Sequence, residues 1–172
     1  MGLHERHRQY SQPLKQTTLG IISRGDSLVL AMKKRGFGAG KWNFAGGKNE
    51  PGESGQECVI REVEQEFGTK IKPPKLVAIL YFYFVDVPPE KDWDQKCSVF
   101  EIDHWQGEPA ESEEMAPRWW LKSDIPYDQM WPADRDWLEP VLAGNVVTGY
   151  FLFNSEQQCL ETEIVLGRLV DE

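Results

Sequence analysis

The stretch GGKNEPGESGQECVIREVEQEFGT, residues 46–69, decides the fold. Ser54 or Glu53 can cap the start of a helix in it, and Gly68 can end that helix. The apolar residues between them recur at every fourth position: Val59, Val63 and Phe67. The sequence therefore predicts an amphipathic helix from about Ser54 to Phe67, entered from a glycine-rich loop.

Carboxylates crowd one side of this predicted helix. Glu62, Gln65 and Glu66 fall within about 100° of one another, beside the apolar stripe. Like charges one turn apart destabilise a helix unless something binds them, and Mg²⁺ commonly bridges protein carboxylates to substrate phosphates. A solvated acidic face is the alternative. On the far side of the helix, Glu57 and Arg61 are predicted to form an ordinary surface pair.

The stretch resembles the Nudix box, G-x5-E-x7-R-E-U-x-E-E-x-G-U, in which U is a bulky aliphatic residue. Seven fixed positions match at the right spacing: Gly47, Glu53, Arg61, Glu62, Val63, Glu66 and Gly68. A pattern of this length is far more specific than a lone glycine motif. Two positions depart from it: Gln65 stands in place of the first glutamate of the pair, and Thr69 in place of the aliphatic residue.

This resemblance implies a fold and a chemistry. The Nudix fold is an α/β/α sandwich with a mixed β-sheet, and its members hydrolyse a nucleoside diphosphate linked to another group, using Mg²⁺ or Mn²⁺. By position, Glu62 and Glu66 would bind the metal, and Glu62 is also a candidate catalytic base. Gln65 could coordinate through its amide oxygen or hydrogen-bond a metal-bound water. The other matching polar and glycine positions would be structural, with Glu53 and Arg61 joining the loop to the helix: Gly47, Glu53, Arg61 and Gly68.

Segments outside the box resemble one branch of that family, the animal-type oxidised purine nucleoside triphosphatases, which are homologues of the bacterial MutT enzymes. The matching segments are MKKRGFGAGKWN (32–43), ESEEM (111–115), QMWPADRDW (129–137) and the C-terminal hairpin. This resemblance runs through most of residues 17–166. It implies a Mg²⁺-dependent pyrophosphohydrolase that sanitises the nucleotide pool by converting an oxidised purine triphosphate, such as 8-oxo-dGTP or 2-oxo-dATP, to monophosphate and pyrophosphate.

The branch resemblance also assigns substrate-binding residues. Asn43 and Asp134 would hydrogen-bond the base, and Trp137 would support the wall of its pocket. Lys33 would lie near the pocket mouth or the phosphates. The aromatic residues that would enclose the base are Phe37, Phe82 and Trp131. A purine needs flat aromatic surfaces and a few fixed polar groups, so the residue types agree with this assignment.

Further metal ligands and phosphate contacts follow from the same resemblance. The Gly46 carbonyl and Glu114 would add to the metal site, and Glu114 is the second candidate for the catalytic base. Lys34 and Arg35 could contact phosphate oxygens, with a solvated basic turn as the alternative.

Two departures from the branch bear on the substrate. Ala133 and Asp134 stand where the branch has adjacent aspartates, which can exchange protons and so read different base tautomers. Phe44 and Ala45 follow Asn43 where the branch has Gly–Phe. The alternatives are therefore a Nudix hydrolase of another nucleotide (an unmodified or methylated purine dNTP, or a dinucleoside polyphosphate) and a weakly active nucleotide-binding Nudix domain.

The remaining sequence predicts strands around the helix. The predicted strands are 17–23, 28–32, 75–87, 97–105, 117–121 and the two arms of a hairpin over 147–167. A second helix is predicted from about Pro132 to Ala143, although Pro140 lies within it. Strands mixed with two helices predict an α/β domain.

Composition excludes several classes of protein. The chain has 172 residues and a net charge of −9, which argues against binding a nucleic acid polymer. No apolar run approaches a membrane span of about 20 residues. Three separated cysteines indicate neither a disulfide framework nor a zinc site, so a reduced cytoplasmic compartment is predicted. We expect a flexible tail over residues 1–15, with His4 and His7 solvated, followed by a single, monomeric domain over 16–172.

Overall fold

The structure, a computed structural model, describes residues 1–10 and 13–172. Within these residues there are three α-helices: α1 (Leu3–Arg8), α2 (Gly55–Phe67) and α3 (Asp134–Leu142). The strands are β1 (Lys15–Arg24), β2 (Ser27–Lys33), β3 (Trp42–Asn43), β4 (Lys70–Ile71), β5 (Lys75–Phe84), β6 (Gln95–Ile102), β7 (Trp105–Gln106), β8 (Met115–Leu121), β9 (Val147–Phe153) and β10 (Cys159–Leu166). This is the predicted α/β class with a mixed sheet.

The chain divides into two compact units. The first unit consists of Met1–Thr17, Val77–Ser98 and Pro132–Glu172, and the second of Thr18–Leu76 and Val99–Trp131. The single domain over 16–172 stays a prediction.

In the second unit, β2 pairs with β1, β3 and β8. It forms the predicted antiparallel hairpin with β1, in which Ser23 lies opposite Leu28. Along its whole length β2 pairs with β8, and its end pairs with the short β3. The pairing of β2 with β3 and β8 holds the residues after Lys33 and before Met115 at the same end of the strand.

Helix α2 packs on the second unit through its apolar stripe, as predicted. A Cβ added to Gly20 in β1 would lie 2.9 Å from Val59 Cγ2 and 2.8 Å from Ile102 Cδ1, so only glycine lets the helix approach this closely. The buried cluster that results contains Ile22, Val29, Ala31, Ala45, Val59, Val63, Phe67, Phe100, Ile102 and Met115. With its other side against the core, α2 turns the carboxylate side outward.

The first unit supplies the mixed character of the sheet. Strand β9 pairs parallel with β5, from Ala78 opposite Val147 to Phe84 opposite Phe153. On its other side β9 pairs antiparallel with β10, which confirms the predicted C-terminal hairpin. Helix α3 contacts both arms of that hairpin.

The prediction of a flexible tail over residues 1–15 is wrong where the structure describes a helix. Leu3 and Arg6 of α1 are buried, and Arg6 Nη2 lies 2.7 Å from Asp94 Oδ2. His7, predicted to be solvated, bonds the hydroxyl of Tyr83. These partners lie more than seventy residues away along the chain, so no local sequence pattern predicts the contacts. Residues 11–12 of the predicted tail lie outside the described residues.

Smaller differences concern where elements end. Strand β5 ends at Phe84, three residues before the predicted end, and the predicted loop over 88–95 contains a 3₁₀ turn at Pro89–Lys91. The second helix runs through Pro140 to Leu142. Among the helices of residues 1–10 and 13–172, none has the length and apolar character that crossing a membrane takes.

Candidate active site

Helix α2 begins and ends through the residues that the sequence predicts. The Ser54 hydroxyl accepts from the Glu57 N–H at 3.2 Å, and the Glu57 carboxylate accepts from the Ser54 N–H at 2.8 Å. This reciprocal capping box fixes the first turn. Gly68 ends the helix in the left-handed region, at φ 66°. The helix is therefore held at both ends, which fixes the direction of its carboxylates.

Arg61 ties the glycine-rich loop to this helix. Its Nε and Nη2 donate to the two carboxylate oxygens of Glu53 at 2.7 and 2.9 Å, and Nη2 also donates to the Lys48 carbonyl at 3.2 Å. The predicted surface pair of Glu57 with Arg61 is wrong, because Glu57 is engaged in the capping box. A bidentate ion pair of this kind is among the stronger polar contacts in proteins.

We expect Glu53→Gln to destabilise the fold by about 2 kcal/mol, because it weakens the bidentate pair with Arg61. These hydrogen bonds lower the pKa of Glu53 from its usual 4.5 to about 2. A carboxylate whose folded pKa is depressed contributes stability above its unfolded pKa and loses it as pH falls. The stability difference between wild type and E53Q, measured by urea denaturation, should therefore shrink between pH 4.5 and pH 2.

The control for that series is Glu50→Gln. The exposed carboxylate of Glu50 lies 3.9 Å from Arg61 Nε, so its removal should change stability by less than about 0.5 kcal/mol. An E53Q variant as stable as E50Q would show that the ion pair does not hold the loop.

Glu62 lies against the glycine-rich loop. Arg61 Nη1 donates to Glu62 Oε1 at 2.8 Å. A Cβ added to Gly47 would lie 2.5 Å from that same oxygen, so glycine is required for the carboxylate to lie here. Burial raises the pKa of Glu62, against the lowering effect of Arg61, and the charge of Glu114 raises it further.

Glu66 is the most deeply placed of the helix carboxylates. Its side chain is buried, and Oε2 accepts from the Gly46 N–H at 3.1 Å. Burial raises its pKa to about 8, and the charges of Glu62 and Glu114 add to the rise, while Lys33 opposes it. A Cβ at Gly46 would lie 1.9 Å from the Thr18 carbonyl oxygen, so only glycine lets the loop lie this close to Thr18.

These carboxylates line one cleft of about 390 Å³. Its lining residues are Arg35, Glu62, Gln65, Glu66, Ser112, Glu113 and Glu114. The charge of Glu114 raises the pKa of both Glu62 and Glu66, and the charge of Glu62 also raises the pKa of Glu66, so negative charge is concentrated in this cleft. A divalent cation with oxygen ligands would relieve that repulsion, so the donor set fits Mg²⁺ or Mn²⁺.

The carboxylate of Glu114 is paired with an arginine of the same cleft. Its Oε1 accepts from Arg35 Nη2 at 3.0 Å. In the part of the chain that the structure describes, no group of three or more His, Cys, Asp or Glu side chains is arranged to hold a metal ion. The structure thus places Glu114 in the predicted cleft but leaves its role as a ligand or base a proposal.

Gln65 lies at the edge of the cleft, where its amide oxygen accepts from Arg61 Nη1 at 3.2 Å. Arg61 thereby contacts Glu53, Glu62 and Gln65 together. An amide at this position satisfies the guanidinium without adding a further negative charge beside Glu62. Coordination of a metal by Gln65 stays a prediction.

The predicted base-stacking residues of the second unit lie together. The ring centroids of Phe37 and Trp131 are 5.2 Å apart, with planes tilted by 32°. Lys41 Nζ lies 5.4 Å from the Trp131 ring centroid. A Cβ added to Gly38, at φ +83°, would lie 3.3 Å from the Trp131 indole, so a side chain here would be strained and crowded. Phe37 keeps 40% of its surface exposed, so this pair presents an accessible aromatic face.

Two further predicted residues of the second unit have backbone partners. Asn43 Oδ1 accepts from the Phe44 N–H at 2.8 Å, which fixes the orientation of the amide. The N–H of Lys33 donates to the Lys41 carbonyl at 3.1 Å and so closes the loop between β2 and β3. Phe44, one of the departures from the branch pattern, is buried.

The first unit holds the remaining predicted substrate residues. Asp134, at the start of α3, is buried, and its Oδ1 accepts from Trp137 Nε1 at 3.0 Å. Phe82 stacks on Phe151 with ring centroids 5.2 Å apart. Ala133, which replaces the first aspartate of the branch, is fully buried. The roles of Phe82, Asp134 and Trp137 toward a base stay predictions.

Sequence reasoning missed two features of the cleft and its surroundings. It did not foresee the pairing of Arg35 with Glu114, which joins segments seventy-nine residues apart. It also missed the approach of Lys41 to Trp131. The glycines of GFGAG were a signal for the second feature, because positive φ at Gly36, Gly38 and Gly40 curls the loop back on itself.

Comparison with known proteins adds to this geometry. The model of the NUDIX domain matches residues 13–141. The chain is 35% identical over 150 residues to the oxidized purine nucleoside triphosphate hydrolase of Danio rerio, a match that covers 87% of this chain and 94% of the relative. It is 36% identical over 143 residues to the protein of the same name from Mus musculus, covering 83% of this chain and 89% of the relative.

The fold has a close counterpart among solved structures. The crystal structure of the mutator MutT protein from Bacillus halodurans superimposes with a TM-score of 0.77 and 26% identity. The match covers 88% of this chain and 97% of that one.

Proposed function

The chain belongs to the Nudix family and is a hydrolase of nucleotide pyrophosphate bonds, and we propose that its substrates are oxidised purine nucleoside triphosphates. The products would be a nucleoside monophosphate and pyrophosphate. The observation that carries the proposed chemistry is the cleft in which Glu62, Glu66 and Glu114 come together beside the glycine-rich loop. The similarity to the fish and mouse hydrolases supports the choice of substrate.

The metal site would be built on α2 and the loop before it. Glu62 and Glu66 lie one turn apart, and the Gly46 carbonyl belongs to the residue whose N–H already bonds Glu66. Bound Mg²⁺ would neutralise phosphate charge and lower the pKa of a coordinated water. Glu114 is the further ligand within the same cleft, once its side chain leaves Arg35.

Glu62 is the residue best placed to take a proton from the attacking water. Arg61 donates to one carboxylate oxygen, which leaves the other oxygen to accept. Burial raises the pKa of Glu62, which makes its carboxylate a stronger base than a solvated glutamate, while the hydrogen bond from Arg61 favours its charged form. The leaving pyrophosphate would depart toward the basic side chains of the cleft mouth, among them Arg35.

The base would be held by stacking and by fixed polar groups. Phe37 and Trp131 offer an accessible aromatic face with a positive charge from Lys41 beside it. Aromatic rings stack well on purines, and Asn43 has an amide whose orientation is fixed by the backbone.

A comparison of substrates tests this proposal. We expect kcat/KM for 8-oxo-dGTP or 2-oxo-dATP to exceed that for dGTP or dATP by at least about tenfold, the discrimination that one buried hydrogen bond gives. The measurement is a steady-state assay over these four nucleotides. Equal values for oxidised and unmodified purines would refute sanitation as the function while keeping the hydrolase.

One observation favours a second substrate class. Ala133 is buried where the branch has an aspartate, so only Asp134 of that pair can read the base. Recognition of an unmodified or methylated purine requires fewer protonation states of the pocket carboxylates than recognition of several oxidised bases. The same assay, extended to a methylated purine triphosphate, decides between the two classes.

A further inference from the structure

We propose that Arg35 and Glu114 form an exchangeable ion pair, which keeps Glu114 out of the metal site until a substrate phosphate takes over Arg35. The inference rests on the proposed function, because both residues act in the cleft assigned to it. It goes further by naming Arg35 as the residue that couples phosphate binding to metal binding.

The contacts of Arg35 place it between the acidic loop, residues 111–114, and the cleft. Its Nη2 donates to Glu114 Oε1 at 3.0 Å, and its Nη1 lies 3.8 Å from Glu113 Oε2. It also lines the cleft that contains Glu62 and Glu66. A phosphate bridged to those two carboxylates by a cation would therefore lie within reach of the guanidinium.

The backbone of the acidic loop is held in place, so the exchange needs only side-chain rotation. The Glu114 carbonyl accepts from the Lys34 N–H at 2.8 Å. The Ser112 hydroxyl accepts from the N–H groups of Glu114 and Met115 at 3.3 and 3.2 Å. Lys34 Nζ donates to the Ser112 carbonyl at 2.7 Å and pairs with Glu111.

As it stands, Glu114 does not complete a metal site. Within residues 1–10 and 13–172, no three metal-binding side chains of the His, Cys, Asp and Glu types are arranged around one ion. Glu62, Glu66 and Glu114 all line the cleft, but Arg35 occupies the carboxylate of Glu114. Release from Arg35 would add the third carboxylate.

The pair is of the kind that exchanges readily. The side chains of Arg35 and Glu114 are 60% and 48% exposed, and exposed pairs contribute little stability. A guanidinium forms stronger, bidentate contacts with phosphate. Phosphate would therefore displace Glu114 from Arg35. Glu114 would then be available to coordinate the cation that accompanies the phosphate.

The first test measures metal binding without any nucleotide. In metal-free protein titrated with Mn²⁺ and followed by electron paramagnetic resonance of the free ion, Arg35→Gln should bind Mn²⁺ about two- to fivefold more tightly than wild type. Unchanged or weaker binding would overturn the proposal, because the freed Glu114 would then add nothing to the site.

Two controls separate the exchange from a general effect of charge. Lys34→Gln removes one positive charge from the same loop, but its partner is Glu111, so Mn²⁺ affinity should stay within about 1.5-fold of wild type. In a Glu114→Gln background, Arg35→Gln should lose its effect. If K34Q matches R35Q, or if R35Q acts without Glu114, the exchange is wrong.

The second test measures phosphate binding with imidodiphosphate, which carries the phosphate chain but no base. By calorimetry in excess Mg²⁺, R35Q should bind imidodiphosphate about tenfold more weakly than wild type. Equal affinity would overturn the proposal even if Mn²⁺ binding improves. Neither test involves hydrolysis of a nucleotide, so failure of the proposed substrate in the four-nucleotide assay leaves these outcomes independent.

Discussion

Replacing Glu62 with glutamine should lower kcat by about 10³-fold, because the amide neither accepts a proton from water nor contributes a charge to the cation site. The fold should persist, since glutamine keeps an oxygen for Arg61 to donate to at the same position. Burial disfavours the charge of this carboxylate, so thermal stability of E62Q should equal or exceed that of wild type.

Glu64→Gln is the matched control for that variant. Glu64 lies on the exposed side of α2, where its only ion pair in the described chain is with Lys70 at 4.0 Å. The turnover of E64Q should therefore stay within about twofold of that of the wild type. If E62Q turned over nucleotide as fast as E64Q, the catalytic site would lie elsewhere.

Gly47→Ala should lower kcat by about 10²-fold, although Gly47 carries no catalytic group. The added methyl would lie 2.5 Å from Glu62 Oε1, so the carboxylate must move by about 1 Å, and displacements of that size have such effects on rate. The loop cannot move instead, because the Gly47 carbonyl accepts from the Thr18 N–H at 2.9 Å. Steady-state kinetics at saturating substrate measure the effect.

Gly52→Ala is the control for a loop glycine. An alanine at Gly52 would meet no atom within 4 Å of its methyl group, but φ is +79°, so the substitution would destabilise the fold through backbone strain alone. It should lower stability by about 1 kcal/mol and leave kcat unchanged.

A double-mutant cycle locates the cause of the Gly47 effect. In wild type, G47A should also lower stability in urea denaturation, because the new methyl collides with the Glu62 carboxylate. In a Glu62→Ala background the space beside Gly47 is empty, so G47A should no longer destabilise the fold. A G47A variant that loses the same stability in both backgrounds would show that the methyl meets something other than Glu62.

The parts of this fold that the sequence predicted are those with local causes. Helix α2 follows from its capping residues, the four-residue spacing of Val59 and Val63, and a C-terminal glycine. The hairpin of β1 with β2 and the C-terminal hairpin follow from runs of β-branched and aromatic residues around turns. The spacing of Glu62 and Glu66 predicted that both face one side, and both line the cleft.

The parts that could not be predicted depend on contacts between distant segments. The family resemblance indicated that Glu53 and Arg61 join the loop to the helix, whereas helical spacing alone paired Arg61 with Glu57, because that spacing carries no information on how the loop folds back onto α2. Helix α1 is six residues long and would not persist in isolation. Asp94, eighty-eight residues away, holds it through Arg6.

Gln65 and Glu114 show the same difference between what the sequence predicts and what only the structure shows. The sequence marks Gln65 as an exception, but only the structure shows that its amide oxygen faces Arg61. The family resemblance predicts Glu114 as a metal ligand, but only the structure shows its contact with Arg35. Side-chain partners at the rim of a cleft are decided by which loops meet there.

The most direct test of the central claim is a product analysis with 8-oxo-dGTP and Mg²⁺, in which nucleoside monophosphate, pyrophosphate and inorganic phosphate are each quantified. We predict one pyrophosphate for each monophosphate, no inorganic phosphate, and loss of both products in E62Q. Release of inorganic phosphate with a diphosphate product, or undiminished turnover by E62Q, would contradict the account.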